Sequence, residues 1–406
     1  MSDEGRQGLK GRPEASGTAG RPEASGTAER PEASGTAERE RAKSALLQLP
    51  GAVQAGWPDE GVAAHYGDPV REQRALDGAN GAGDAGLVDR SNRGVLKITG
   101  QDRLSWLHSL TTQHLTGLAA GASAQALVLS PTGHVEHQLS LTDDGTTVWV
   151  HVEPGTAAAL LGFLESMRFM LRVEVADVTQ DYAVLTVMGP AGADITQGLD
   201  AVQARVNPGP FGIIDLIVAR DLLPDAAAEL VRRGGVLAGM WAFEALRIAA
   251  RVPRLGLDTD HRTIPHEVGW IETAVHLNKG CYRGQETVAR VHNLGHPPRR
   301  LVFLHLDGSV DRLPAHGDPV ELDGTVVGFT GSAARHYELG PIGLALIKRT
   351  VPVDAPLLAG SGVGVAAAQE VIVPPDAGAN VQVTLRRRQV ILANKRPARL
   401  SQETGG

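Results

Sequence analysis

Two adjacent prolines, Pro297 and Pro298, mark the point where this chain changes character. Before them, strand-like and helix-like stretches follow one another in irregular order. Residues 94–99 read as a strand, and Gly100-Gln101-Asp102 turns the chain. Asp102 is placed to cap a helix in which Leu104, Leu107 and Leu110 recur at helical spacing beside Trp106. Residues 124–129 are strand-like. Residues 135–142 and 146–152 read as a hairpin around Asp143-Asp144-Gly145. A helix over 157–170, strands over 171–175, 182–188 and 212–219, and helices over 224–233 and 240–250 follow. This mixed order predicts an α+β fold rather than a doubly wound sheet. After the prolines, short apolar runs are cut by Gly and Pro. Residues 301–306 alternate, and 319–322 and 325–329 flank Asp323-Gly324, a type I′ hairpin signal. Residues 342–347, 362–366 and 381–385 add further strands, which together suit a small β-barrel. Gly360-Ser361-Gly362-Val363-Gly364 opens no helix and reads as a bulged strand rather than a phosphate loop.

Length agrees with such a division, because 406 residues exceed what one small core organises. The expected domains are a tail over 1–50, an α+β region over 51–298, a barrel over 299–395 and a short tail over 396–406. The first tail repeats Arg-Pro-Glu-Ala-Ser-Gly-Thr-Ala from Arg12, Arg21 and Arg30, with no large apolar residue to bury in any unit. Residues 77–86 read as a loop, with ordered structure beginning near Leu87. The N-terminus lacks the apolar core of a signal peptide and no apolar run reaches membrane-spanning length, so a cytoplasmic protein is expected. A net charge of −7 argues against direct DNA binding. Arg386-Arg387-Arg388 with Lys395, Arg396 and Arg399 reads as a solvated edge and terminus rather than an RNA contact.

The chain has one cysteine, Cys281. That excludes an internal disulfide and a four-cysteine metal or iron–sulfur site within the chain, and no metal site is predicted. A lone cysteine is usually a small buried hydrophobe. Here Gly280 and Gly284 bracket the thiol, and a helix begins at Gln285. The helix dipole and nearby cations there favour a thiolate. Between residues 276 and 300, Lys279, Arg283, Arg290, Arg299 and Arg300 face a single acid, Glu286. His276, His292 and His296 lie in the same stretch. Such a patch suits an anionic ligand or, equally, a solvated linker.

The run Lys279-Gly280-Cys281-Tyr282-Arg283-Gly284-Gln285-Glu286, followed by Val288-Ala289-Arg290, resembles the signature of the YgfZ-type folate-binding proteins, which are similar in fold to aminomethyltransferases. The likeness extends to Phe243-Glu244-Ala245-Leu246-Arg247-Ile248, Pro253-Arg254-Leu255-Gly256 and Gly295-His296-Pro297, and spans about residues 85–350. The resemblance implies an aminomethyltransferase-like region of two α+β subdomains, a C-terminal β-barrel and tetrahydrofolate in a central cavity. It also implies a role in iron–sulfur cluster assembly or repair, with iron–sulfur client or assembly proteins as partners, and through them in tRNA modification. Cys281 and Lys279 are the implied reactive pair. Tyr282, Arg283, Gly284, Gln285, Glu286, Arg290 and Arg247 are the implied ligand or loop contacts. The chain departs from the aminomethyltransferase pattern twice. Glu136-His137 stands where an aspartate pair follows the turn, and Ala249 stands where related proteins often carry a glutamate suited to a pterin ring. Asp258, Asp260 or Glu267 are alternative carboxylates, the first two reading more readily as solvated loop. The first departure argues against aminomethyl transfer, since that chemistry needs a placed carboxylate. Three readings follow: an accessory protein acting through Cys281, an aminomethyltransferase-like enzyme, and a protein- or RNA-binding module that has kept only the fold.

Overall fold

The computed structural model describes residues 43–81, 83–204 and 212–378. The repeat tail, the strand expected over 381–385, the basic run from Arg386 and the tail over 396–406 lie outside the described residues.

Among the described residues, the strands form two five-stranded sheets, a six-stranded closed barrel and a two-stranded pairing of Val53–Gln54 with Ala63–His65. The first sheet runs in the order Val202–Ala204, Ile214–Ala219, Tyr182–Met188, Gly86–Asp89, Val236–Ala238, with only the last pair parallel. The second runs Ser123–Leu129, Val135–Asp143, Thr147–Val152, Gly94–Thr99, Glu174–Asp177, all antiparallel. Helices pack on both sheets, and Val88, Met188 and Ala238 on the other face of the first sheet also meet Leu76, Met240 and Leu246 of two helices. Leu223–Arg232 covers the first, while Arg103–Leu110 and Ala157–Ser166 cover the second. Val95, Trp149, Val184 and Ile217 pack the sheets on each other. The mixed order of elements predicts this α+β character, and the resemblance implies the two subdomains.

The barrel is built from Arg299–Leu306, Gly340–Lys348, Thr325–His336, Pro319–Leu322, Leu357–Ala359 and Val365–Val371. Asp323 and Gly324 have φ of 50° and 75°, the positive pair that a type I′ turn demands. One apolar cluster crosses the Pro297-Pro298 boundary, joining Leu127, Ile248 and Trp270 to Leu301, Phe303 and Leu344. Arg299 fastens the same seam: its guanidinium meets Asp260 at 2.6 Å and Glu267 at 2.8 Å.

Several elements differ from expectation. The fold starts before Leu87. Residues 45–48 form a 3-10 helix inside the expected tail, and Leu46 is 2% exposed against the first sheet. A helix, Pro69–Asp77, precedes the expected loop. Its start is signalled by Asp68, whose carboxylate accepts from Val70 N and Arg71 N, and its stop by Gly78 at φ 78°. Asp102 makes no side-chain cap bond to its own helix; its carboxylate instead accepts from Arg172 N at 3.0 Å and Arg172 Nε at 3.1 Å. That tie holds the loop after Ala157–Ser166, so the helix ends four residues early and the next strand begins at Glu174.

Candidate functional site

A cavity of about 1270 Å³ opens between the two sheets, the segment 266–278 and the residues 372–378 that follow the barrel's last strand. That is room for a ligand of several rings. One wall carries buried charges set by the backbone. Arg90 and Arg93 sit in the turn between Gly86–Asp89 and Gly94–Thr99, so the turn joining the two sheets delivers both guanidinium groups to the space between them. His151 and Glu153 come from the end of Thr147–Val152 and the residue just beyond it, and Asp215 from Ile214–Ala219.

These groups form one network. Arg93 Nη1 pairs with Glu153 Oε1 at 2.5 Å, and Arg93 Nε donates to His151 Nδ1 at 2.9 Å. An acceptor at Nδ1 places the proton of a neutral imidazole on Nε2, which lies 3.1 Å from Asp215 Oδ2. Burial pulls the His151 imidazole below its ordinary value despite Asp215, which agrees with that neutral form. Thr186 Oγ1 donates to Asp215 Oδ1 at 2.5 Å. Arg254 donates to Glu153, Asp59 and Glu244, and Arg247 to Glu244 and Asp258. Burial alone would raise the Glu153 carboxyl; Arg254, Arg93 and Arg90 outweigh it and hold the group far below the usual range. Arg90, pressed by burial and then by Arg93, is pulled down to about 10.

The cysteine segment forms a braced loop beside this cavity. Thr112 Oγ1 donates to Ala274 O at 2.6 Å, and His276 N to Thr112 O at 2.9 Å. Lys279 Nζ donates to the carbonyls of His108 and Thr111 and lies 5.0 Å above the Tyr282 ring. Burial draws that ammonium down to about 8, while the two carbonyls favour its charge. Lys279, expected to act with Cys281, thus spends its ammonium on the carbonyls at the end of Arg103–Leu110. Cys281 itself is exposed. Tyr282 is buried, its hydroxyl pushed up to about 12 by burial, and with Gln285 it lines a side cavity of about 310 Å³. Leu277, Asn278 and His292 line both cavities.

The remaining predicted residues divide. Gly284 does permit a close approach, though to the protein's own chain: at φ 79° it packs on the 130–133 turn. A side chain at Gly280 would meet nothing within 4 Å, so no close approach is made there. Arg283 pairs with Glu136 at 3.0 Å, and Glu286 and Arg290 are exposed. Arg247 lines the large cavity with its guanidinium committed to Glu244 and Asp258. The basic patch is dismantled by folding. Arg300 is fully buried in the barrel, Arg299 is paired with Asp260 and Glu267, and Lys279 is buried. Asp258 is not solvated; it is 0% exposed and takes Arg247 and Ser332 as partners. Asp260 and Glu267 hold Arg299, so none of the three alternative carboxylates is free for a pterin. Ala249 packs into the core rather than lining the cavity, which Ala250 lines instead.

Arg90, Arg93, His151, Glu153 and Asp215 are not among the residues expected at a site. The signal was present in Asp89-Arg90-Ser91-Asn92-Arg93, two arginines between two apolar strands, and in a histidine and a glutamate closing an otherwise apolar strand. Among the described residues, no group of three or more His, Cys, Asp and Glu is arranged to hold a metal ion, and no helix is long and apolar enough to cross a membrane.

Two α+β layers and a closed barrel around a central cavity define an aminomethyltransferase-like fold. The solved aminomethyltransferase T of the glycine cleavage system from Bartonella henselae superposes with a TM-score of 0.69 at 16% identity, covering 80% of this chain and 95% of that one. Residues 76–214 match the GCVT N-terminal domain. The chain is similar to the aminomethyltransferase of Rubrobacter xylanophilus, 27% identical over 286 residues covering 65% of this chain and 76% of the relative. It is also similar to a chloroplastic protein of Arabidopsis thaliana provisionally named a transferase, 26% identical over 289 residues covering 63% of this chain. The match spans 65% of that relative's own length.

Proposed function

We propose that this chain is a cytoplasmic folate-binding accessory protein of the YgfZ type, which supports iron–sulfur cluster assembly or repair, and thereby tRNA modification, through Cys281. The observation that carries this reading is the presentation of the thiol. Cys281 is exposed on a loop braced on one side by Lys279 and on the other by Gly284, one residue from Tyr282 at the side cavity. Tetrahydrofolate is the ligand that the fold and the similarity to aminomethyltransferases favour for the large cavity. Its protein partners in this reading are iron–sulfur client or assembly proteins.

A second reading, aminomethyl transfer to folate, draws support from the names of the relatives. The geometry at Glu136 speaks against it. That carboxylate is more than a third exposed and drawn to Arg283, and it does not line the cavity where a folate nitrogen would sit. His137 beside it is half-buried and pulled down to about 4 by burial and Arg283, so it is neutral near pH 7 and carries no charge to replace the acid.

Cys281→Ala is expected to reduce the activity of iron–sulfur enzymes in a deletion strain to the level of the empty strain. Because the site is exposed, unfolding free energy should stay within about 0.5 kcal/mol. Full rescue by the alanine variant would remove the thiol from the mechanism. Formation of methylenetetrahydrofolate from an aminomethyl donor by the purified chain would favour the second reading.

A further inference from the structure

We propose that Arg90 and Arg93 form an anion subsite on the inner wall of the central cavity, which receives the carboxylate or phosphate terminus of the bound ligand. The subsite rests on the cavity being a ligand site, as above, but not on the ligand being a folate.

The wall contains cations with unused donors. Among the described residues, only Nη1 of Arg90 bonds to protein, to Thr186 Oγ1 at 3.3 Å and Asp215 Oδ1 at 3.4 Å, both beyond the usual range. Among the described residues, Arg90 Nε and Nη2 have no partner. Arg93 uses Nε and Nη1, which leaves Nη2. These side chains are only 9% and 6% exposed, and both line the cavity. No protein acceptor among the described residues takes these three nitrogens and both side chains line the cavity, so an acceptor group on a ligand can complete them with charge-assisted bonds. Phe243 lies under the Arg90 guanidinium at 4.5 Å and fixes its plane.

The acceptors on the same wall are already engaged. Glu153 receives Arg93 on one oxygen and two N–H groups of Arg254 on the other. Asp215 receives Thr186 and Arg90 and faces His151. A ligand that approaches with a donor edge, such as the amino-pyrimidine side of a pterin, meets no free carboxylate here. A ligand that approaches with acceptors meets free donors. Of the charged residues that line the cavity, five are arginines and three are carboxylates, so the balance also favours an anion. The wall thus selects the ligand's acidic end and leaves any ring system toward segment 266–278.

The test uses calorimetry on the full chain with four probes: inorganic phosphate, p-aminobenzoylglutamate (a carboxylate arm without a pterin), 6-methyltetrahydropterin (a pterin without carboxylates) and tetrahydrofolate. At least one anionic probe should bind saturably. Arg90→Leu should weaken it by about tenfold or more, the loss of one charge-assisted contact. Arg90→Lys, which keeps the charge and loses the fork, should fall between the two and guards against a variant that fails to fold. Pterin affinity should not change. Binding of the glutamate arm alone assigns a carboxylate source, and binding of phosphate alone a phosphate source. If neither anion binds at millimolar concentration, or if Arg90→Leu binds it as the parent does, the subsite is refuted. Arg90-dependent phosphate binding without tetrahydrofolate binding would uphold the subsite and reject the folate reading. Tetrahydrofolate binding indifferent to both Arg90 variants would do the reverse.

Discussion

Replacing Arg254 with methionine is expected to cost about 3–5 kcal/mol at neutral pH, a large share of a typical domain's stability. The guanidinium is 6% exposed and uses all its faces. It meets Asp59 at 2.9 and 3.1 Å, Glu153 at 2.7 and 3.0 Å, and Glu244 at 2.8 Å. Methionine preserves apolar volume but takes a shared cation from three acids and leaves Asp59 without one. Glu153 would retain Arg93, and Glu244 would retain Arg247. Among the described residues, Asp59 would retain only the Asn92 amide at 3.2 Å. The sign of the pH dependence follows from Glu153 and Glu244, both held below their ordinary values in the fold against the opposing effect of burial. A depressed carboxyl stabilises the fold above its unfolded pKa, and that contribution fades as pH falls through the folded one. The penalty of Arg254→Met should therefore be full at neutral pH and shrink as acidity removes the same pairs from the parent. Urea unfolding at several pH values measures it. A loss under about 1 kcal/mol at neutral pH would show that the acids find other partners.

The second large effect lies inside the cysteine signature. Gly284→Ala is expected to cost roughly 2–4 kcal/mol, combining left-handed backbone strain with a collision that cannot relax cheaply. A Cβ at Gly284 would sit 2.6 Å from Ser130 O and 3.0 Å from both Gly133 Cα and Leu129 Cβ. Two of these three are backbone atoms, and they belong to the turn before the Glu136 strand. Gly280→Ala serves as the control, because its side chain enters open space, and it should change stability by no more than about 0.5 kcal/mol. Equal effects of the two substitutions in urea unfolding would deny that Gly284 holds the loop to the turn. The signature would then be a linear recognition motif rather than a packed bracket.

The contrast between those glycines shows what was legible in the sequence. Periodicity located many of the strands and helices where an element buries one face, and Asp323-Gly324 named its own turn through backbone sterics. The cysteine segment stood out by composition. What composition could not give was the direction of each charge. Lys279, Arg299 and Arg300 sit close together in sequence as a basic patch, yet folding sends one to helix-end carbonyls, one to two acids and one into the barrel. Asp258 looks like solvated loop until the helix that carries Arg247 packs over it. The cavity wall was hidden for the same reason, since Arg90, His151 and Asp215 lie far apart along the chain and meet only when the sheets stack. Leu46 and the Pro69–Asp77 helix were lost beside a low-complexity tail and a Gly-rich stretch that masked ordinary start and stop signals.

A folate site in the cavity, with the exposed thiol outside it, is the reading we propose above, and calorimetric titration of the full chain with tetrahydrofolate decides it. Saturable binding at one site per chain is expected, unchanged by Cys281→Ala, since Cys281 does not line the cavity. No binding at millimolar tetrahydrofolate would overturn the reading.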